Sequence, residues 1–341
     1  MTRDEPRLLL TTSPFLKHRE DTAYLMWQVN YALVPVLLAA IWFFGINALL
    51  IAVACIAGAL LPEWLHNRSR SGRSTLRDGS GVITGALLAL TLPPTTPLWM
   101  AFTGGFVAIA LGKLIFGGIG SNVFNPALVG RAFLQAAFPS MLTTWAQPVP
   151  GSELLTVRGD LFAFPFLKPG IDAITQATPL SQMKFDGVVT NATDLLFGTT
   201  AGSLGETGSL IILICGLYLG LRRVLNWRIP ISILATVGLI AAATHLIDPA
   251  RFAPPMFHLF SGGLMLGAIF MATDPVSSPI TQRGCWIFGV GIGALVMIIR
   301  LFGGLPEGVM YAILLMNATT PLINRTTQGR VYGTSWRAKR H

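Results

Sequence analysis

Long apolar runs separated by short polar connections dominate the chain. From Ala23 to Pro62 no residue is charged. At about 1.5 Å per residue that run makes roughly 60 Å of helix, enough to cross a hydrocarbon core of about 30 Å twice, with Gly45-Ile46-Asn47 as the turn. Further apolar segments lie at roughly 80–93, 98–113 and 123–138. A polar stretch, 139–206, then interrupts the pattern. Five more segments occupy roughly 207–221, 229–247, 257–273, 284–301 and 306–323. The pattern predicts an all-α integral membrane protein of about ten transmembrane helices. It divides into an N-terminal segment 1–22, a membrane unit 23–138, a loop 139–206, a second membrane unit 207–324 and a tail 325–341. The first 22 residues are polar and charged, and the apolar run behind them is too long for a signal-peptide core, so no cleavable signal is expected.

Composition agrees with this class. Hydrophobic residues make up 52% of the 341 and charged residues only 11%, against roughly 25% charged in soluble domains. A net charge of +9 raises the question of nucleic acid, but the positions of the charges answer it. Arg3, Arg7, Lys17 and Arg19 precede the first segment; Arg68, Arg70, Arg73 and Arg77 follow the second; Arg222, Arg223 and Arg228 follow the sixth; Arg325, Arg330, Arg337, Lys339 and Arg340 end the chain. With ten crossings all four groups fall on one side, as the excess of Lys and Arg in cytoplasmic loops requires. Both termini are therefore expected in the cytoplasm of a bacterial inner membrane, and the loop 139–206 outside. The basic balance serves topology and lipid, and no nucleic-acid partner is expected.

Cys55, Cys215 and Cys285 are scattered through apolar segments without a CxxC pair or a neighbouring His cluster, so they read as buried small residues rather than metal, cluster or disulfide positions. No catalytic constellation and no metal site emerges. An internal repeat is hinted at. Ser80-Gly81 leads through apolar residues to Thr91-Leu92-Pro93, and Ser261-Gly262 leads similarly to Thr273-Asp274-Pro275. These are either ordinary helix ends or the broken helices of two units inserted in opposite directions.

Several motifs carry two readings each. Thr178-Pro179 in the outer loop is a helix start, Thr being a good N-cap and Pro fitting the first helical position. Ser203-Leu204-Gly205-Glu206 reads as a capping box opening the sixth segment, with ligand contact as the alternative. Arg131, in mid-segment, is either paired or an anion ligand. Gly289-Val290-Gly291-Ile292-Gly293 imitates a dinucleotide fingerprint, but with no strand before it the glycines read as helix-packing positions.

Taken together, Asn125-Pro126-Ala127-Leu128-Val129-Gly130-Arg131, Gly202-Ser203-Leu204-Gly205-Glu206-Thr207, Phe270-Met271-Ala272-Thr273-Asp274-Pro275-Val276 and Glu307-Gly308-Val309-Met310 resemble the NqrB/RnfD family. Its members are membrane subunits of the sodium-pumping NADH:quinone reductase and of the Rnf electron-transport complex. The resemblance runs from about Ser13 to Asn324, and the short N-terminal region favours the RnfD branch over the NqrB branch. It implies a urea-transporter-like fold of two inverted five-helix repeats. It also implies FMN esterified through its phosphate to a threonine in a D-x-x-[ST]-G-A-T signature, which falls here on Asp172 to Thr178 and makes Thr178 the acceptor. Gln176 departs from the glycine common in that signature, while Asp172, Thr175, Ala177 and Thr178 stay in register. A near copy ending at Thr193 has Gly187 where the aspartate belongs.

The expected cofactor ligands are thus Thr178, Asp172, Thr175, Arg131, Ser203 and Glu206, with a second, non-covalent riboflavin expected near Thr91–Pro94 and Thr273–Pro275. An ester on Thr178 would set a phosphate at the N-terminus of the helix that Pro179 opens. The implied role is electron relay within an ion-translocating oxidoreductase, for Na+ or H+. Implied partners are a second FMN-carrying subunit, iron–sulfur membrane subunits and soluble subunits on the NADH and ferredoxin side. A small-solute channel of the same fold is the rival reading, and it has no use for the loop signature.

Overall fold

Gly45 divides the first apolar run. Its φ of 68° lies in the left-handed region, which glycine enters without a Cβ penalty, and its N–H closes on the Ile41 carbonyl. Helices α1 (Thr22–Phe44) and α2 (Ile46–Ser69) flank it. Asp21 starts α1 by accepting from the Tyr24 N–H at 2.8 Å. The structure, a computed structural model, describes residues 21–69, 75–148, 151, 154–157, 159, 161–165, 177–206, 208–249 and 251–329. Asp172 and Thr175 lie outside the described residues.

After a 3-10 turn at Thr75–Asp78 come α3 (Ser80–Leu90), α4 (Leu98–Ile109, continued by a π turn at Ala110–Leu114), α5 (Pro126–Ala137) and α6 (Pro139–Leu142). The loop 139–206 contributes α7 (Pro179–Ser181, continued by a π turn at Gln182–Asp186) and α8 (Ala192–Phe197). Then follow α9 (Ser209–Leu221), α10 (Arg228–Ile247), α11 (Pro255–Phe260), α12 (Leu264–Leu266, continued by a π turn at Gly267–Met271), α13 (Gln282–Phe302) and α14 (Val309–Thr327). No strand occurs among the described residues. Among the described residues four helices, α1, α2, α10 and α13, are long and apolar enough to cross a membrane, and α3, α4 with its π turn and α9 are shorter apolar helices.

Small residues set the packing. α2 packs on α4 and α4 on α5; later, α10 packs on α13 and α13 on α14, while α1 lies against α9. A Cβ at Gly105 would stand 2.2 Å from the Cys55 carbonyl oxygen, one at Gly289 1.7 Å from Ser232 Oγ, and one at Gly293 2.7 Å from Thr236 Cβ. The glycines of α13 are therefore packing positions, as expected, because backbone approach this close excludes any side chain. The three cysteines are buried and free.

Two of the apolar segments are interrupted. α3 stops at Thr91–Pro97, where prolines remove donors and free carbonyls. Side chains re-satisfy those carbonyls: Thr91 Oγ1 donates to Leu88 O at 2.6 Å, Thr96 Oγ1 to Pro93 O at 2.8 Å and Asn47 Nδ2 to Pro94 O at 3.1 Å. The expected segment 257–273 is itself broken at Ser261–Gly263, between α11 and α12. Its far end is met by Asn125, the N-cap of α5, whose Nδ2 donates to Met271 O at 3.1 Å.

The capping-box reading of Ser203–Glu206 is corrected. α9 starts only at Ser209, after Gly208 at φ 94°, and has no side-chain cap. The Ser203–Glu206 turn instead caps the C-terminal end of α3, with Gly205 N–H donating to Leu90 O at 2.7 Å and Leu204 N–H to Leu92 O at 3.1 Å. The exposed carbonyls of an interrupted helix compete for these amides more effectively than a new helix start does.

Candidate functional site

The interruptions and the loop 139–206 line a cavity of about 560 Å3, within the range of roughly 300–1,000 Å3 usual for small-ligand sites. Four of the six residues predicted from sequence, Arg131, Thr178, Ser203 and Glu206, line it together, joined by Glu307 and Tyr311 from the start of α14.

Each is positioned by local chemistry. Thr178 is the N-cap of α7: its hydroxyl accepts from the Ser181 N–H at 3.3 Å and donates to Ser181 Oγ at 3.0 Å. The cap reading therefore holds. The following Leu180 is buried in a small apolar cluster with Leu195, Ala253 and Phe257, which pins the cap against α11. Thr178 itself is 8% exposed. Thr193, the near copy, is exposed beside the start of α8 and does not line the cavity. The stretch that Pro179 opens runs only to Asp186, and just three of its residues are α-helical. The expected help from a helix dipole is correspondingly small, since aligned peptide units supply it.

The charge that can meet an anion comes from Arg131. It projects from α5, and its Nη1 is buried without a partner. Glu307 and Glu206 act on it electrostatically, while Nη1 keeps an unused buried donor, so both readings, paired and anion-binding, stay open for it. Glu206 and Glu307 stand in the same cavity wall. Glu206 N–H donates to Ser203 O at 3.1 Å, and its carboxylate lies close against Gly202, where an added Cβ would push it aside. Glu307 Oε1 accepts from the Gly263 N–H at the α11–α12 break. Arg300 of α13 holds the same break from behind, donating to His258 O at 2.6 Å and Ser261 O at 2.9 Å.

Chemically the cavity offers a hydroxyl that can carry an ester, a guanidinium with an unused Nη1 donor, two carboxylates, and a mainly apolar wall with Trp145, Phe185 and Tyr311. A flat aromatic ligand with an anionic tail fits that set. Sequence reasoning gave no role to Glu307 beyond a segment end, nor to Tyr311. The Glu307-Gly308-Val309-Met310 motif was the available signal, and what it lacked was the fold that brings the start of α14 to Ser203.

A second cavity, of about 120 Å3, lies by Thr273, Asp274 and Pro275, with Asn125 and Lys113 in its wall. No group of three or more metal-ligating side chains occurs among the described residues.

Residues 9–333 match the model of the NQR2, RnfD, RnfE family. The chain is 39% identical, over 95% of its length and 96% of the relative's, to the D subunit of the proton-translocating ferredoxin:NAD(+) oxidoreductase complex of Clostridium ljungdahlii. It is 39% identical, over 97% of its length and 96% of the relative's, to the D subunit of the Na(+)-translocating ferredoxin:NAD(+) oxidoreductase complex of Acetobacterium woodii. It is 40% identical, over 94% of its length and 95% of the relative's, to the D subunit of the ion-translocating oxidoreductase complex of Stutzerimonas stutzeri.

Proposed function

The chain belongs to the NQR2, RnfD, RnfE family, and on that premise we propose that it is the D subunit of an ion-translocating oxidoreductase complex, carrying FMN as a phosphoester on Thr178. One observation carries the flavin reading: the Thr178 hydroxyl stands in the wall of a cavity of about 560 Å3 that also contains the Arg131 guanidinium, whose buried Nη1 has no hydrogen-bond partner. The residues fit the group. Thr178 holds the ester oxygen, Arg131 takes the phosphate charge, Ser203 and Glu206 offer polar contacts, and the aromatic and apolar wall accommodates the ring. Bound there, the flavin supplies one- and two-electron chemistry, while the protein supplies placement and electrostatics. Asp172 and Thr175 complete the acceptor signature by resemblance alone.

The wider reading follows the family. The helices form two inverted five-helix repeats of urea-transporter type. The recurrence of α2·α4 and α4·α5 packing as α10·α13 and α13·α14 supports this, as do the paired interruptions. The termini lie in the cytoplasm of a bacterial inner membrane, with 139–206 outside. The partners are a second FMN-carrying subunit, iron–sulfur membrane subunits and soluble subunits facing NADH and ferredoxin. Relatives named for protons and for sodium are equally similar, at 39%, so the ion is set by features finer than overall similarity. A second, non-covalent flavin, riboflavin, belongs to the same reading, near the interrupted helices. The cavity by Thr273–Pro275, about 120 Å3, is too small for it as it stands, because sites for ligands of that size start at roughly 300 Å3.

The test is Thr178→Ala, followed by flavin fluorescence of the chain on a denaturing gel. Loss of the fluorescent band at unchanged membrane abundance is expected. A band of wild-type intensity would overturn the assignment and turn attention to Thr193.

A further inference from the structure

The loop that carries Thr178 is fastened to the membrane core by one side chain. Lys184 sits in the π turn Gln182–Asp186, which continues α7 without a break. Its ammonium donates to the main-chain carbonyls of Ile299 at 3.4 Å, Arg300 at 3.1 Å and Leu305 at 2.9 Å, and also to that of Gly303. Three N–H donors are thus shared among four acceptors. These oxygens belong to the last turn of α13 and the residues just beyond it. Ile299 O also accepts the Gly303 N–H at 2.9 Å, but carbonyls at a helix C-terminus have acceptor capacity to spare and carry the negative end of the helix dipole, so a cation is the group they suit. Burial lowers the lysine's pKa from its ordinary value, while the carbonyls accept its hydrogen bonds.

The geometry ties this cage to the flavin acceptor. Thr178 begins the same helical stretch six residues earlier, about 9 Å along an axis rising 1.5 Å per residue. Leu180, between the two, is buried against Phe257 of α11. Arg300, whose carbonyl receives Lys184, sends its own guanidinium to His258 O and Ser261 O. Lys184 therefore joins the acceptor loop to the helix end that also braces the α11–α12 break in the cavity wall.

We propose that Lys184 is a positioning residue for the flavin: it latches the acceptor loop onto the C-terminal end of α13 and so fixes the Thr178 oxygen at the cavity wall. The proposal rests on Thr178 as the acceptor. Without the ammonium, only the apolar packing of Leu180 and Met183 holds the stretch, and Thr178 samples positions off the wall.

The test uses the full chain in membranes, comparing wild type, Lys184→Met and Lys184→Arg. The Met variant keeps the apolar stem and loses every donor; the Arg variant keeps charge and donors. Flavin content per chain and fluorescence anisotropy of the bound flavin are measured at matched membrane abundance. The Met variant should lose several-fold in flavin content, its residual flavin should be less ordered, and Arg should restore most of both. Wild-type content and anisotropy in the Met variant would overturn the latch. A wild-type chain with no flavin on Thr178 would instead bring down the reading beneath it. Should the Met variant fail to accumulate, amine labelling of the wild type decides: Lys184 reacting much more slowly than a free lysine supports the latch, and reacting as fast overturns it.

Discussion

Glu63→Gln is the sharpest structural perturbation the fold offers. Glu63 of α2 and Lys113 in the π turn after α4 form an ion pair at 2.7 Å, with side chains 1% and 4% exposed. Lys113 Nζ also donates to Ser80 Oγ at 2.6 Å, and Thr75 Oγ1 donates to Glu63 Oε1 at 3.0 Å. One pair thus joins α2, the π turn after α4 and the start of α3. At 2.7 Å and an effective dielectric constant of about 20, the Coulomb attraction is about 6 kcal/mol, much of it offset by the cost of desolvating both ions. Replacing the carboxylate by an amide of the same shape leaves that cost on Lys113 without the attraction. Breaking a buried pair in this way costs about 3–5 kcal/mol. At roughly 2–4 °C per kcal/mol the midpoint of thermal unfolding should fall by on the order of 10 °C. The assay is the thermal midpoint in one detergent, for Glu63→Gln, Lys113→Met and the double variant Glu63→Leu/Lys113→Met. The double variant should recover most of the loss, because two well-packed apolar residues carry no uncompensated charge. A single variant costing under about 1 kcal/mol, or a double variant worse than either single, would refute the reasoning.

Other outcomes follow from the same structure. Arg131→Met should lower flavin content by about tenfold or more, measured at matched membrane abundance, by removing a charge-assisted contact worth about 1.5–3 kcal/mol; unchanged flavin absorbance per chain would argue against it as the phosphate ligand. Reporter fusions at Arg337 and near Gly170 should report opposite sides of the membrane, the first cytoplasmic, and finding both on one side would overturn the ten-crossing topology.

What the sequence made legible follows from local rules. The uncharged run 23–62 needs a turn, and Gly45 is the residue that takes a left-handed φ. The small-residue face of α13 and the Thr178-Pro179 cap also follow from short-range chemistry and appear where expected. What stayed hidden depends on which helix ends meet. Ser203–Glu206 has the spacing of a capping box, yet the free carbonyls of Leu90 and Leu92 claim its amides. That competition is between residues more than a hundred positions apart. Ser261-Gly262 stands out in the sequence only as the start of a repeat unit, and no proline marks a break there; Arg300 and Glu307, distant in sequence, hold it open. Glu307 and Tyr311 enter the cavity for the same reason. Nothing local in the sequence sets Lys184 apart within its loop, because its partners are the carbonyls at the distant end of α13.

The central claim is a flavin phosphoester on one threonine, and mass spectrometry of the peptide containing Thr178, from protein purified out of its native membrane, tests it most directly. The account predicts a mass increment of one FMN less one water, localised to Thr178 by fragmentation. An unmodified Thr178 peptide, or the same increment found on Thr193, would contradict it.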